Sequence, residues 1–335
     1  MDMNTIIKII YLLTLCFSAH GQFIEGISVV GPFNDDAITS HFPALKQLGT
    51  EWLAFTPDYI LTNNEFTLSI DSSDWSLDME RLGLNIAAAH NAGYKVFLKP
   101  HIVLSKDPSQ KGFQGDVWRG TLKLRDHEWR KVEKTYQSFI LSFARFAEQH
   151  GVELFCIGTE LSSFVDRRKA YWISLINDIR SLYSGRITYS ANWDDYMADH
   201  IWTRVDLIGV NAYFPLGSQK KINSKFLAKK WSHILKPIKK MAQKYDKPVL
   251  ITEIGYRSVR SSSSTPWIHN NPAEKISEKT QSTLLHHMLE AIYNTSYITG
   301  CFIWNYPYSL RSEHNTDFSI RNKQAFHTIA RWYNK

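Results

Sequence analysis

The chain has 335 residues, of which 44% are hydrophobic and 21% charged, the proportions of a folded globular protein and not of a disordered, collagen-like or multi-span membrane chain. Its net charge of +7 is local in origin, because between Lys220 and Lys247 ten lysines stand against a single acid, Asp246. Such a run marks the solvated outer face of a helix, whereas a nucleic-acid groove needs basic residues gathered from several elements, so no nucleic-acid partner is expected.

In chain order, the first segment reads as a secretory signal over residues 1–21: Lys8, an apolar run from Ile9 to Phe17, then Ala19-His20-Gly21 before Gln22. It is too short for a membrane span, and no later stretch reaches ~18 apolar residues. The expected mature chain is therefore 22–335, a catalytic domain that is exported to an extracellular or periplasmic space and not inserted in a membrane. Cys156 and Cys301 remain after cleavage, and neither CxxC nor a Cys/His metal spacing is present.

EGISVVG, from Glu25, opens a series of strands. A repeated unit follows, made of a helix-like stretch, a Gly and a short β-branched or aromatic run. Gly49 precedes EWLAF, Gly93 precedes YKVFLKP, Gly151 precedes VELFCIG, Gly185 precedes RITYSAN and Gly300 precedes CFIWN. A Gly there suits the left-handed residue that closes a helix. DLIGVNAY and PVLITEIGY behave alike and bring the strands to eight. Between them Val132, Tyr136, Phe139, Ile140, Phe143 and Ala147 form a helical apolar stripe. The gap between strands five and six leaves room for a helix of two or so turns.

Alternation of strand and helix predicts a parallel sheet, and eight units predict an α/β fold, a single (β/α)8 TIM barrel. A doubly wound sheet would normally show a Gly-rich phosphate loop after its first strand, and neither GxGxxG nor GxxxxGK[ST] occurs. The extra length lies after strands, in Thr56–Ser76, Ile102–Asp126 and Arg257–Asn271, which places the working face there. Ser261–Ser264 in the last of these reads as a mobile surface loop.

In a barrel, reactive groups belong at the carboxyl ends of strands. Glu160 ends LFCIGTE on strand four and Glu253 ends PVLITE on strand seven, while Glu25, Glu51 and Glu153 stand at strand beginnings. Two carboxylates facing each other across the mouth suit glycosidic cleavage, in which one protonates the leaving oxygen and the other serves the anomeric carbon. Aromatic residues at the same rim suit the apolar faces of sugars: Trp304, Trp193, Tyr213 and Trp118. Tyr213 can donate to Glu253 and hold it ionised. Lys99, His101, Asn192 and Asn211 are further candidates for binding hydroxyls or tuning the carboxylates. Asp194 and Asp195 rank below Glu160 because neither is aligned with a strand. Strand alternation places Cys156 and Gly158 inward with Glu160, and Cys301 outward. No HExxH or GxSxG occurs, so neither a metal nor a Ser-His-Asp triad is assigned, and no cofactor is expected.

Taken together, IGTELSS, ITEIGYRS and FIWNYPY resemble the retaining glycoside hydrolases of clan A, and most closely glycoside hydrolase family 113, over about Gly26 to Trp332. The resemblance implies Glu160 as general acid/base, Glu253 as nucleophile, Tyr213 and Trp304 as the clan's strand-six Tyr and strand-eight Trp, and retaining endo-cleavage of β-1,4-mannan without cofactor. The sequence departs from the clan at Thr159, where Asn usually binds the sugar 2-hydroxyl; the Thr159 hydroxyl or Asn192 is left to do so. The expected partner is a β-linked, mannan-type saccharide and the expected state a monomer. The competing readings are another β-glycan (glucan or xylan), an exo-acting or transglycosylating variant, and a non-catalytic glycan-binding barrel.

Overall fold

The computed structural model describes residues 23–30, 38–62, 66, 68–69, 79–105, 117–196, 199–218, 222–268, 274–308 and 316–335; the expected signal segment lies outside them. In chain order the strands are β1 (Ile24–Val30), β2 (Trp52–Phe55), β3 (Asp58–Leu61), β4 (Leu68–Ser69), β5 (Lys95–Leu98), β6 (His101–Leu104), β7 (Leu154–Thr159), β8 (Arg186–Asn192), β9 (Leu207–Asn211), β10 (Val249–Ile254) and β11 (Ile298–Pro307). The helices are α1 (Phe42–Leu48), α2 (Met79–Asn91), α3 (Asp126–Gln149), α4 (Ser162–Arg167), α5 (Lys169–Leu182), α6 (Asp199–Trp202), α7 (Ser224–Tyr245), α8 (Glu278–Tyr293) and α9 (Gln324–Tyr333).

Eight strands close into a barrel in the order β1-β2-β5-β7-β8-β9-β10-β11, with β11 returning to β1 and every pair parallel. These are the eight strands expected from the sequence, and helices lie between most of them, as a (β/α)8 barrel requires. The apolar stripe of α3 is buried from Val132 to Ala147. In α7 the lysines point outward: Lys225, Lys229, Lys236, Lys239 and Lys240 are exposed, while Leu227, Trp231 and Ile238 are buried. Among the described residues no helix is long and apolar enough to cross a membrane.

Three local readings are corrected. Gly49, Gly93 and Gly151 take the left-handed conformation, but Gly185 is not among the positive-φ residues and Gly300 lies inside β11, where a Cβ would stand 2.3 Å from that of Ile24. The described part of the connection between β8 and β9 holds the short helix α6, Asp199–Trp202, within the room the sequence leaves for it. The long segments after β2 and β5 fold in part as a second sheet, in which β3 pairs antiparallel with β4 and parallel with β6. Ser262 and Ser263 are fully buried; Ser262 donates to the Val259 carbonyl, Ser263 to that of Gly217, and the Ser263 carbonyl accepts from Leu216 N–H. The serine run is thus a packed turn.

Outside the barrel Trp172 of α5 is fully buried and rests against Tyr136, Phe164 and Tyr189, with ring centroids 5.5, 5.3 and 5.8 Å away. A Cβ on Gly158 would lie 2.9 Å from its ring, so β7 and α5 approach closely there. Trp172→Ala is expected to cost about 3–5 kcal/mol in urea denaturation, the usual loss for a buried aromatic. A loss below about 1 kcal/mol would contradict this packing.

Candidate active site

The barrel interior changes character along its axis. Its lower part is an apolar cluster that includes Phe97, Leu154, Cys156, Leu207, Leu250 and Phe302. Side chains two residues further along the same strands share their face, and Lys99 follows Phe97, Thr252 follows Leu250, and Asn211 lies four beyond Leu207. All three are fully buried. Polar groups therefore begin where the strands end, and each needs a partner.

Both carboxylates follow a break in register. On β7 the pairing with β8 shifts between Cys156 and Thr159, and on β10 the pairing with β9 shifts between Ile251 and Glu253. Such irregularities re-aim side chains. Gly158 illustrates the effect: it does not face inward with Cys156, because its missing side chain would meet Trp172 and Tyr136 outside the barrel. Cys301 does face outward, toward Tyr333, and both cysteines are buried free thiols. Glu160 itself has φ 55, an uncommon backbone for a non-glycine residue and one that clusters at functional sites.

Glu253 lies in a cage of donors. Lys99 Nζ reaches its Oε2 at 2.6 Å, also bonding Asn211 Oδ1 at 3.2 Å and the Thr252 carbonyl at 3.4 Å, so each ammonium proton has an acceptor. Tyr213 donates its phenolic proton to Oε1. Burial pushes the Glu253 carboxyl up, but the Lys99 charge, the His101 ring and the hydrogen bonds from Lys99 and Tyr213 outweigh it and hold the group below the ordinary carboxylate range. Tyr213 is driven the other way, by burial first and then by the Glu253 charge, and stays a protonated donor.

Glu160 is held differently. Asn211 Nδ2 donates to its Oε1 at 2.9 Å, and Arg119 Nη2 to its Oε2 at 2.7 Å. Asn211 therefore bridges the pair, accepting from Lys99 and Thr252 on its carbonyl and donating to Glu160 from its amide. Arg119 sits on a short 3-10 turn, Arg119–Thr121, and Gly120 lets that turn approach, since a Cβ there would lie 2.9 Å from the Glu160 carbonyl oxygen.

Over this layer opens a cavity of about 680 Å³ that both glutamates line. Of the residues singled out in the sequence, Tyr213, Trp304, Trp193, Trp118, Asn192 and His101 also line it. Lys99 and Asn211 do not: they lie beneath it, fully buried, and hold carboxylates instead of touching a ligand. Thr159 is buried too, its hydroxyl 3.6 Å from Cys156 Sγ, so of the two residues left to meet the sugar 2-hydroxyl it is Asn192 that faces the cavity. His101 stacks on Trp304, with centroids 6.0 Å apart, places Nδ1 3.4 Å from Asp58, and has a buried Nε2 without a protein partner. Sequence reasoning missed Arg119, Trp267 and Asp58, although all three fall in the long segments assigned to the working face. Trp267 is 40% exposed and stacks on Trp193 at 5.1 Å. Asp194 lines the cavity as well. Glu153 is a strand-beginning charge, accepting from Val96 N–H at the far end of the barrel.

Among the described residues, His286, His287 and Glu290 are the group whose ligand atoms come within 4.8 Å of one another. They lie on α8, His286 accepts from Trp332 Nε1 and His287 contacts Glu290, and none lines the cavity.

If Lys99 keeps Glu253 ionised, Lys99→Met leaves burial unopposed by its largest counterweight. The acid limb of kcat/KM is then expected at higher pH, with a loss of about 10- to 100-fold at neutral pH. Stability follows the same sign. Glu253, depressed in the folded state, stabilises above the ordinary carboxylate range and loses that contribution as pH falls through it. The variant, having broken a buried pair, is expected to be about 3 kcal/mol less stable at pH 7. An unshifted acid limb would contradict the role given to Lys99.

The family model for Glycoside Hydrolase Family 113 matches residues 26–323. Among solved structures the chain is similar to a GH113 β-1,4-mannanase complex, with 21% identity and TM-score 0.81 over 94% of this chain and 99% of that one. It is likewise similar to the GH113 β-mannanase AaManA of Alicyclobacillus acidocaldarius in complex with ManMIm, with 22% identity and TM-score 0.80 over 95% and 99%. A Faecalibacterium prausnitzii β-glucuronidase is more distant, with 14% identity and TM-score 0.64 over 93% of this chain and 49% of that one. No curated protein matches.

Proposed function

We propose, since the chain belongs to glycoside hydrolase family 113, that this glycoside hydrolase is a retaining enzyme acting within β-1,4-mannan or its oligosaccharides. Glu253 attacks the anomeric carbon while Glu160 gives its proton to the departing oxygen; Glu160 then takes a proton from the water that releases the glycosyl-enzyme. The observation that carries this reading is that two buried carboxylates at the ends of strands four and seven line one cavity, each with its own donors. Lys99 and Tyr213 bond Glu253 and hold it charged, as a nucleophile needs, while Arg119 and Asn211 bond Glu160. The mannan substrate is supported by the two β-mannanases of the same family that share the fold along nearly their whole length. The substrate-binding roles of Trp304, Trp193, Trp118, Asn192 and His101 belong to this reading, as do export through residues 1–21 and the monomeric state.

A reducing-sugar assay on β-mannan, xylan and β-glucan tests the substrate, with the configuration of the first-formed product read by proton NMR. Mannan is expected to be hydrolysed at least about tenfold faster than the others, giving the β-anomer first. Faster hydrolysis of xylan or glucan would overturn the substrate, and the α-anomer the mechanism.

A further inference from the structure

Helix α7 carries the chain back from the mouth, where β9 ends at Asn211, to the base, where β10 begins. It holds seven lysines and no acid in 22 residues. Helix α3, of similar length, carries Asp126, Glu128, Glu133 and Glu148 among Arg130, Lys131, Lys134 and Arg145. Mixed signs of that kind suffice to solvate an outer face and add favourable pairs one turn apart, whereas like charges at that spacing repel. α7 keeps its lysines together against their mutual repulsion, so solvation alone does not account for the pattern.

The lysines also form a line. Lys225, Lys229, Lys236 and Lys240 follow one another at intervals of four, seven and four residues, close to whole turns of a helix, so they share one edge about 22 Å long. Lys239 flanks that edge; all five are exposed, and among the described residues none of them is ion-paired. The opposite side, with Leu227, Trp231, Ile238 and Met241, is buried against the barrel. None of the five lysines lines the catalytic cavity. The exposed large apolar side chains, Leu84, Val103, Trp118, Trp267 and Ile276, all lie outside α7. The ridge therefore has no apolar wedge for a lipid interface and no exposed ring on which bases could stack.

We infer that this lysine edge is a docking surface for a linear polyuronate, an unbranched acidic polysaccharide that lies along α7 outside the barrel and leaves the mouth open. Carboxylates along such a chain meet the ammonium groups as point charges, while its hydroxyls stay in water. A nucleic-acid duplex presents its phosphates on a thick cylinder and calls for basic residues from several elements. Stable seating on a membrane takes an apolar face or a lipid anchor beside the basic patch. Each exposed lysine–carboxylate contact is weak and screened by salt, so the affinity comes from engaging the row together. The inference stands apart from the glycosidase reading, since it concerns binding and not turnover.

The test measures binding of soluble polygalacturonate by isothermal titration calorimetry at neutral pH, with duplex DNA and vesicles of phosphatidylcholine and phosphatidylglycerol as the other arms. Wild type is expected to bind polygalacturonate more tightly than either, and to lose about tenfold or more in affinity as salt rises from about 50 to about 200 mM. Lys225→Gln/Lys229→Gln/Lys236→Gln/Lys240→Gln is expected to weaken that binding by about 20-fold or more. Lys46→Gln/Lys123→Gln/Lys131→Gln/Arg145→Gln removes the same charge from four exposed positions elsewhere and is expected to weaken it by about threefold or less. Glutamine keeps helix propensity, so both variants are expected to melt as wild type does by circular dichroism. Equal weakening in the two variants, no binding at low salt, or tighter binding to DNA or to vesicles would overturn the inference.

Discussion

Glu253→Ala is expected to lower glycan hydrolysis by about 10⁵-fold or more, and sodium azide to restore turnover as a glycosyl azide of inverted configuration. The loss is large because the groups that surround the Glu253 carboxylate, Lys99 and Tyr213, are its hydrogen-bond donors and supply no anion to attack the anomeric carbon in its place. The shortened side chain leaves a space lined by those two donors, which suits a small anion. Azide bonds to the anomeric carbon from the vacated face as the glycosidic carbon–oxygen bond breaks and Glu160 protonates the departing oxygen. A single displacement turns a β-linkage into an α-azide, and the product resists further cleavage. The substitution breaks the buried pair with Lys99 and is expected to cost about 3 kcal/mol, while Lys99 keeps its bonds to Asn211 and to the Thr252 carbonyl; thermal melts check that the variant is folded at the assay temperature. Activity within about tenfold of wild type without azide would remove Glu253 from the role.

The barrel was legible because its eight strands repeat one pattern. Each rises from a helix into an apolar run, and the residues that end a strand change from Phe97 or Leu250 to Lys99 or Thr252 within two positions, a signal that a packed core would not tolerate without function or partners. The two glutamates stood out on the same ground. The second sheet gave no such signal. β3 and β6 have four residues each, β4 has two, and Asp58 finds His101 across 42 intervening positions only once β2 and β5 are paired. The register shift in β7 was equally hidden, since strict alternation is the default and nothing in CIGTE announces the break; hence Gly158 faces the helices. Ser261–Ser264 misled because its composition suits a solvated loop, whereas the hydroxyls of Ser262, Ser263 and Ser264 find backbone carbonyls and that of Ser261 the Glu274 carboxylate. Arg119 was unreadable for a related reason. An arginine in a long polar segment resembles any surface cation until Gly120 lets its turn close on Glu160.

Glu160→Ala separates the two carboxylates more sharply than any loss of rate. On mannan, whose leaving sugar alkoxide needs a proton, the expected loss is about 10³- to 10⁴-fold, the upper part of the range for general acid catalysis. On a dinitrophenyl β-mannoside the departing phenolate needs none, so Glu253 still attacks and the glycosyl-enzyme accumulates, seen as a burst of dinitrophenolate followed by slow turnover. Azide now enters from the side that Glu160 has vacated, where it needs no general base. Two displacements on opposite faces restore the starting configuration, and the product is the β-azide. The same reagent thus yields opposite anomers from the two variants, a result that depends on which carboxylate touches carbon and which handles protons. Exchanged anomers would swap the roles of Glu160 and Glu253. Arg119 and Asn211, which lose their shared acceptor in Glu160→Ala, explain why alanine is preferred to glutamine here, since an amide would present hydrogens to at least one of two donors and disturb the cleft beyond the loss of an acid.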